Sequence, residues 1–180
     1  MKSRRGFTLL ELLVVIGVIA VLAALGITVA SGIRSRAERV QCMTNLRGLY
    51  VAAESYLQQN GSWPQIPMAD ESETSEEDYA NAWIAALAPF GATQKTWICP
   101  TMQRGMHSPD LSKPENVRVD YIASNFDDKP TTPHQWPGQP WFIEAGNGHG
   151  NGALIMFTDG TIKELNAFTA QAAPAPSGSP

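Results

Sequence analysis

The chain has 180 residues, 43% of them hydrophobic and 17% charged, and a net charge of −4. These values fit one ordinary domain with a small appendage and exclude a chain disordered throughout. The acidic balance argues against nucleic acid as the main partner.

Lys2, Arg4 and Arg5 open the chain, and Glu11 is the only acid near them. The next twenty-two residues, Leu12 to Ile33, carry no charge. That run reaches the roughly 20 apolar residues that cross a hydrocarbon core of about 30 Å. Basic residues are retained on the cytoplasmic side, so the sequence predicts a single-pass anchor with everything after Ile33 outside. Two other readings stay open. A buried helix of a soluble domain is one, although such helices seldom run so far without a charge. A cleaved secretory signal is the other: Ala20 to Ala24 would supply small residues for a cut, but the apolar pattern continues past them. Loss of residues 1–6 would remove three bases and leave ten against seventeen acids, a side-chain charge of −7.

The helical pattern continues beyond Arg34. Cys42, Leu46, Leu49, Ala53, Tyr56 and Leu57 recur mostly at spacings of three and four, which makes one apolar face. Gln41, Thr44, Asn45, Arg47, Ser55 and Gln58 fill the remainder. Asn60-Gly61 supplies a stop, with Trp63-Pro64 beyond it. The sequence therefore predicts one helix from Phe7 to about Gln59, roughly 80 Å long, with Gly17, Gly26 and Gly32 as places where it can bend. Asp70 to Asp78 holds six acids and no base, a solvated loop or an interaction surface.

Further along, Tyr79 to Leu87 reads as a short helix ending before Pro89. Trp97-Ile98-Cys99-Pro100 reads as a strand or turn, and Val117 to Ala123 alternates as a strand does. Asp127 to Pro140 is a proline-rich loop, and Trp141-Phe142-Ile143 another short strand. Ala153 to Phe157 and Thr161 to Leu165 flank Asp159-Gly160, which predicts a hairpin with a type I′ turn. Ala170 to Pro180 is small residues and proline with one glutamine, a disordered tail. The expected organisation is a leader 1–6, a transmembrane and assembly helix 7–33, its amphipathic continuation 34–60, an exported α+β domain 61–168 and a tail 169–180. The expected fold is α+β, the long helix packing its second half on a small antiparallel sheet.

Gly6-Phe7-Thr8-Leu9-Leu10-Glu11, between a basic leader and an apolar helix, resembles the prepilin processing motif of type IV pilins and type II secretion pseudopilins. The resemblance implies cleavage after Gly6 by a membrane prepilin peptidase and N-methylation of the new Phe7 amine. It implies bacterial inner-membrane residence with a periplasmic domain, then polymerisation into a filament. The partners would be copies of the chain or related pilins, the peptidase and an inner-membrane assembly platform. Glu11 fits this account, because a carboxylate within an apolar helix costs about 2.5–3.5 kcal/mol on insertion scales. Pairing with the Phe7 amine of a neighbouring subunit would offset that cost. A lone Glu11 reaching for the headgroup region is the alternative. Gly17, Ala20, Ala24 and Gly26 would let such helices approach closely. Many members of the family carry a proline inside this helix; here Gly26 and Thr28 stand in that region.

A second resemblance covers the carboxyl-terminal half. His149, then nine residues, then Asp159-Gly160 is similar to the H-x9-DG signature of a group of bacterial pilin-like proteins, as are Cys42-Met43-Thr44-Asn45-Leu46 and Cys99-Pro100. His149 and Asp159 admit a catalytic pair, a metal or ligand contact, or simply turn and packing roles. The sequence contains neither GxSxG nor HExxH, and no enzyme activity is expected. Some pseudopilins hold calcium in a carboxyl-terminal loop, and here Asn125, Asp127 and Asp128 form an oxygen-rich cluster; a solvated acidic loop is the other reading. His107, His134 and His149 are too scattered to define a zinc site. Cys42 and Cys99, expected in an oxidising compartment, predict a disulfide or two buried thiols. Closing a loop of more than fifty residues would be worth about 4 kcal/mol by chain entropy. A structural filament subunit is the expected function. The rival is an anchored ligand- or glycan-binding module that would use Trp63, Trp83, Trp97, Trp136 and Trp141 as stacking surfaces.

Overall fold

A computed structural model describes residues 8–68, 74–105, 116–129, 131–135, 138–150 and 152–172; the side chains of 25–31, 168 and 170–172 fall outside that set. The leader, Gly6, Phe7, His107, Trp136 and three of the six acids of the acidic run, Asp70, Glu71 and Glu73, therefore lie outside the described residues. The fold is α+β and pilin-like, a long amino-terminal helix followed by short helices and a four-stranded antiparallel sheet.

Helix α1 spans Leu9–Asn60, close to the predicted bounds. Thr8 caps it: its hydroxyl accepts the N–H of Glu11 at 3.2 Å, the first half of a capping box in which Glu11 is the N3 residue. The helix ends where Gly61, at φ +67°, donates its N–H to the Leu57 carbonyl. The chain divides into two compact units, Met1–Ala37 and Glu38–Pro180.

In the first unit, the described large apolar side chains from Leu9 to Leu22 are all exposed, the least of them Val15 at 45%. No helix among the described residues is long and apolar enough to cross a membrane. Side chains are described as far as Ala24 and again from Gly32, so the uncharged run Leu12–Ile33 is represented by its two ends.

The second unit is built on the amphipathic part of α1. Cys42, Leu46, Leu49, Ala52, Ala53 and Leu57 are buried in one core with Tyr121, Trp141, Phe142, Leu154 and Met156 of the sheet region. The predicted apolar face is thus present, with one correction. Asn45, assigned to the polar side, is buried; its Nδ2 donates to the Ile98 carbonyl at 2.8 Å and its Oδ1 accepts from Gln41. An amide placed there is tolerated because it is hydrogen-bonded.

Helix α2, Glu76–Leu87, starts at Ser75, whose hydroxyl accepts the N–H of Asp78. It carries three acids in its first turn, where the helix dipole favours them. It ends in a 3₁₀ turn containing Pro89. A second 3₁₀ turn, Gln94–Trp97, leads through Ile98-Cys99 into helix α3, Pro100–Gly105, with proline at the first helical position. The expected strand or turn at 97–100 is therefore a turn.

Strands β1 (Tyr121–Ala123), β2 (Pro140–Glu144), β3 (Leu154–Phe157) and β4 (Ile162–Glu164) form a meander in chain order. Tyr121 faces Glu144, Ile143 faces Ile155 and Met156 faces Ile162, with an irregularity between Pro140 and Phe142. β1 is shorter than the alternation from Val117 implied. The Asp120 carbonyl still accepts from Ala145, opposite it in the β1–β2 register, but its N–H turns to the Trp97 carbonyl.

The β3–β4 hairpin forms at Asp159-Gly160, but its turn is centred one residue early. The Gly160 N–H closes onto the Phe157 carbonyl, which puts Thr158 and Asp159 in the middle, and Gly160 follows at φ +79°. That is the pattern of a three-residue connection with a left-handed glycine, not of the two-residue type I′ turn. A last helix, α4 (Leu165–Ala172), occupies the start of the stretch assigned to the tail. Its alanines and leucine favour helix, and the proline-rich composition begins only at Pro174.

Candidate functional site

The amino-terminal motif and a buried polar cluster are the two places where chemistry concentrates. At the first, Gly6 and Phe7 lie outside the described residues, whereas Thr8 and Glu11 are described. Glu11 is exposed and sits in the first turn of α1, 3.5 Å from the Thr8 hydroxyl through Oε2. Its carboxylate therefore also favours its own helix N-terminus, a role that the sequence reading had not given it. The Thr-x-x-Glu spacing is the signal by which Thr8 could be found as the cap.

The second place lies within the Glu38–Pro180 unit. Cys42 comes from α1, Cys99 from the approach to α3, Glu144 from the end of β2 and His149 from the β2–β3 loop. Their donor atoms all lie within 4.8 Å of one another. His149 Nε2 stands 3.1 Å from Glu144 Oε1 and 3.7 Å from Cys99 Sγ. The Glu144 side chain is fully buried and that of His149 is 2% exposed. Glu144 Oε2 accepts the N–H of Leu154 at 3.1 Å, and His149 Nδ1 faces the Thr101 hydroxyl at 3.5 Å. The sequence paired Cys42 with Cys99; the structure brings the two together and carries both as free, buried thiols. A hydrogen bond from Cys99 holds the Cys42 thiol down, to about 7, against the upward push of burial. Cys99 is pushed up, first by its bond to Cys42 and then by burial.

A second buried acid organises this region. Asp120 takes the Arg118 guanidinium on Oδ1 at 2.9 Å and the Cys99 N–H on Oδ2 at 2.8 Å, so it fixes the backbone that presents the thiol. The loop carrying His149 is held in turn by Asn147, whose Oδ1 accepts the Gly152 N–H. Gly152, at φ +98°, lies so close to the Asn166 backbone that a Cβ would come within 2.9 Å of its nitrogen. Cysteine spacing and the His149 signature were legible in the sequence. Glu144 and Asp120 were missed, because no local pattern announces that an acid will be buried.

The remaining expected sites behave differently. His149 and Asp159 have separate partners, and Asp159 Oδ1 accepts the N–H and hydroxyl of Thr161 within its own turn. Asn125, Asp127 and Asp128 are exposed. Asp127 accepts from the Lys129 N–H and the Thr132 hydroxyl, and the Thr132 bond holds its carboxyl below the usual range. Trp63, Trp83, Trp97 and Trp141 are each at most 1% exposed and form one aromatic nest, with ring centroids 5.5 Å apart for Trp63 and Trp141 and 6.1 Å for Trp83 and Trp97. They are core, not stacking surfaces. A cleft of about 640 Å³ is lined by the amides of Gln41, Asn45, Gln94 and Gln103 together with Lys95 and Thr96, among others.

Comparison with known proteins gives matches over part of the chain. Residues 1–27 match the family model of the prokaryotic N-terminal methylation motif. Over 52 residues, 29% of this chain, the sequence is 40% identical to the Type IV major pilin protein PilA of Myxococcus xanthus (strain DK1622). The match spans about a quarter of that relative, 24% of its length. No solved structure matches. By these two findings the chain is similar to type IV pilins over part of its length.

Proposed function

We propose that the chain is a prepilin-like subunit that a prepilin peptidase cuts between Gly6 and Phe7, and that polymerises into a type IV pilus-like or type II secretion pseudopilus-like filament. The single observation that carries this reading is the first unit: a regular helix whose described apolar side chains are exposed. In water such a surface is unfavourable at about 25 cal/mol per Å², so the helix calls for a cover. A bilayer before assembly and a bundle of like helices after it both supply one. The match of residues 1–27 to the methylation motif supports the cut and the modification of Phe7. Leu12–Ile33 then serves as the inner-membrane anchor, with the Glu38–Pro180 unit in the periplasm.

Glu11 is the specificity element of this scheme. Buried among apolar helices it needs a positive partner, and a neighbour's Phe7 amine has the right charge. The experiment is mass spectrometry of the mature amino terminus from the native host. A chain beginning with N-methylated Phe7 is expected; one beginning at Met1, or beyond Ile33, overturns the reading. Glu11→Gln tests the assembly step: membrane insertion is retained and recovery of the subunit in sheared filaments is lost.

A further inference from the structure

We propose that Cys42, Cys99, Glu144 and His149 bind one zinc-class divalent ion in a closed, four-coordinate structural site. The four side chains converge from four separate stretches of chain, and their donor atoms lie within 4.8 Å of one another. A tetrahedral ion with bonds of about 2.3 Å to sulfur and about 2.0 Å to nitrogen or oxygen sets its ligands roughly 3.3–3.8 Å apart. The separations of 3.1 Å between His149 Nε2 and Glu144 Oε1 and 3.7 Å between His149 Nε2 and Cys99 Sγ already stand near those edges. Only small side-chain movements would close the set around an ion.

The donor chemistry is selective. Two thiolates, one imidazole and one carboxylate suit zinc, whereas calcium and magnesium take oxygen ligands. An ion also accounts for the burial. A disulfide would consume the thiols and leave the carboxylate and imidazole sealed together in the core, where an ion pair by itself repays its desolvation poorly. With a divalent cation at the centre, all four donors have one partner.

The surrounding bonds are those of an outer shell that orients ligands. Glu144 Oε2 is occupied by the Leu154 N–H, which leaves Oε1 for the centre. Thr101 faces His149 Nδ1, which leaves Nε2 for the centre. Asp120 holds the Cys99 backbone. The site would fasten the amphipathic part of α1 to β2 and to the His149 loop. With four protein ligands and little solvent access, its role is structural, not catalytic.

The test uses the full chain purified in detergent without chelator, then stripped and reloaded with Zn²⁺ or Co²⁺. One zinc per chain by elemental analysis is expected, with both thiols reduced in the intact mass. The cobalt form should show a thiolate-to-cobalt charge-transfer band and the strong visible bands of a tetrahedral ion. Stripping should lower the melting temperature and Zn²⁺ should restore it. Cys42→Ser and His149→Gln should abolish stoichiometric uptake, and Thr101→Val should weaken zinc binding about 10–100-fold while keeping one ion per chain. Those variants are supplementary, since wild-type stoichiometry and the cobalt spectrum decide the question even if a variant fails to fold. An intact mass two hydrogens short with no metal would assign a disulfide and overturn the proposal. So would a reduced chain that takes up neither ion, or cobalt bound without a thiolate band.

Discussion

Asp120 shows how a single side chain can hold together parts of the chain far apart in sequence. One oxygen pairs with Arg118, the other accepts the Cys99 N–H, and the residue is 1% exposed. Truncation leaves a buried N–H without its acceptor and a guanidinium with only the Gln103 amide oxygen in place of a carboxylate. Asp120→Ala is therefore expected to cost about 3–5 kcal/mol, the range for breaking a buried pair from one side. Asp120→Asn, which keeps one carbonyl oxygen and the shape, should cost less. Denaturant unfolding followed by tryptophan fluorescence measures both, and an alanine loss below about 1 kcal/mol would show that Asp120 is not an organiser. None of this was legible in the sequence. Asp120 lies in an alternating stretch that reads as strand, and only the fold shows that its N–H is bonded to Trp97 instead. Asn45 was misplaced for the same reason: a helical wheel gives its angle but not the Ile98 carbonyl that makes burial tolerable. Glu11, in contrast, was visible at once, because an acid beside an uncharged run is conspicuous in any sequence. What the structure adds there is Thr8, whose cap starts the helix immediately after the proposed cut.

Among the elements, those with a strong period or strong punctuation were readable. α1 carries spacings of three and four up to an Asn-Gly stop, and the β3–β4 hairpin carries Asp-Gly between apolar runs. What could not be read was the internal geometry of the turn, since Asp-Gly suits both a two-residue connection and the last positions of a three-residue one. α4 was hidden by its neighbours, alanine-rich residues merging into proline and serine. Two glycines separate backbone strain from crowding. At Gly160 a Cβ would meet the Tyr50 ring at 3.6 Å, ordinary contact, so Gly160→Ala should cost only the left-handed conformation, about 1–2 kcal/mol. Gly152→Ala adds a clash with the Asn166 backbone and should cost at least about 1 kcal/mol more. Thermal melts of the two variants test that order, and equal losses would refute it. The hairpin also has a pH signature. The Thr161 hydroxyl, then its N–H, hold the Asp159 carboxyl below the usual carboxylate range. Because the folded value is depressed, the carboxylate's contribution is complete above the ordinary value of about 3.9 and is lost as the pH falls below it. Thr161→Val should shrink that acid-side loss, which a pH series of melting temperatures would read.

For the whole molecule, the division between Ala37 and Glu38 carries the main prediction. Every buried apolar residue among those described lies at Cys42 or beyond. The core includes four interlocked tryptophans, and truncating one, Trp63→Ala, should cost about 3–5 kcal/mol. The ion pairs Glu38–Arg104 and Arg39–Glu164 also lie on the carboxyl-terminal side of the division. The second unit thus contains its own core, sheet and pairs, and the exposed apolar helix of the first adds nothing to that core. A chain starting at Glu38 should therefore fold by itself, dissolve without detergent and melt cooperatively. It should melt within about 4 °C of the full-length protein, roughly what 1 kcal/mol moves in a domain of this size. A chain starting at Leu46 makes the informative control. It removes Asn45 with its bond to Ile98, Cys42 beneath Tyr121, and both pairs, so it should melt lower by several times that amount or fail to fold. Both truncated chains lack Glu11 and the apolar run, and neither should enter filaments when supplied alongside the full-length chain. If the Glu38 chain is unfolded while the full-length protein is stable in detergent, the first unit contributes to folding as well as to the proposed assembly. The separation of the amino-terminal helix from a self-sufficient second unit would then be wrong.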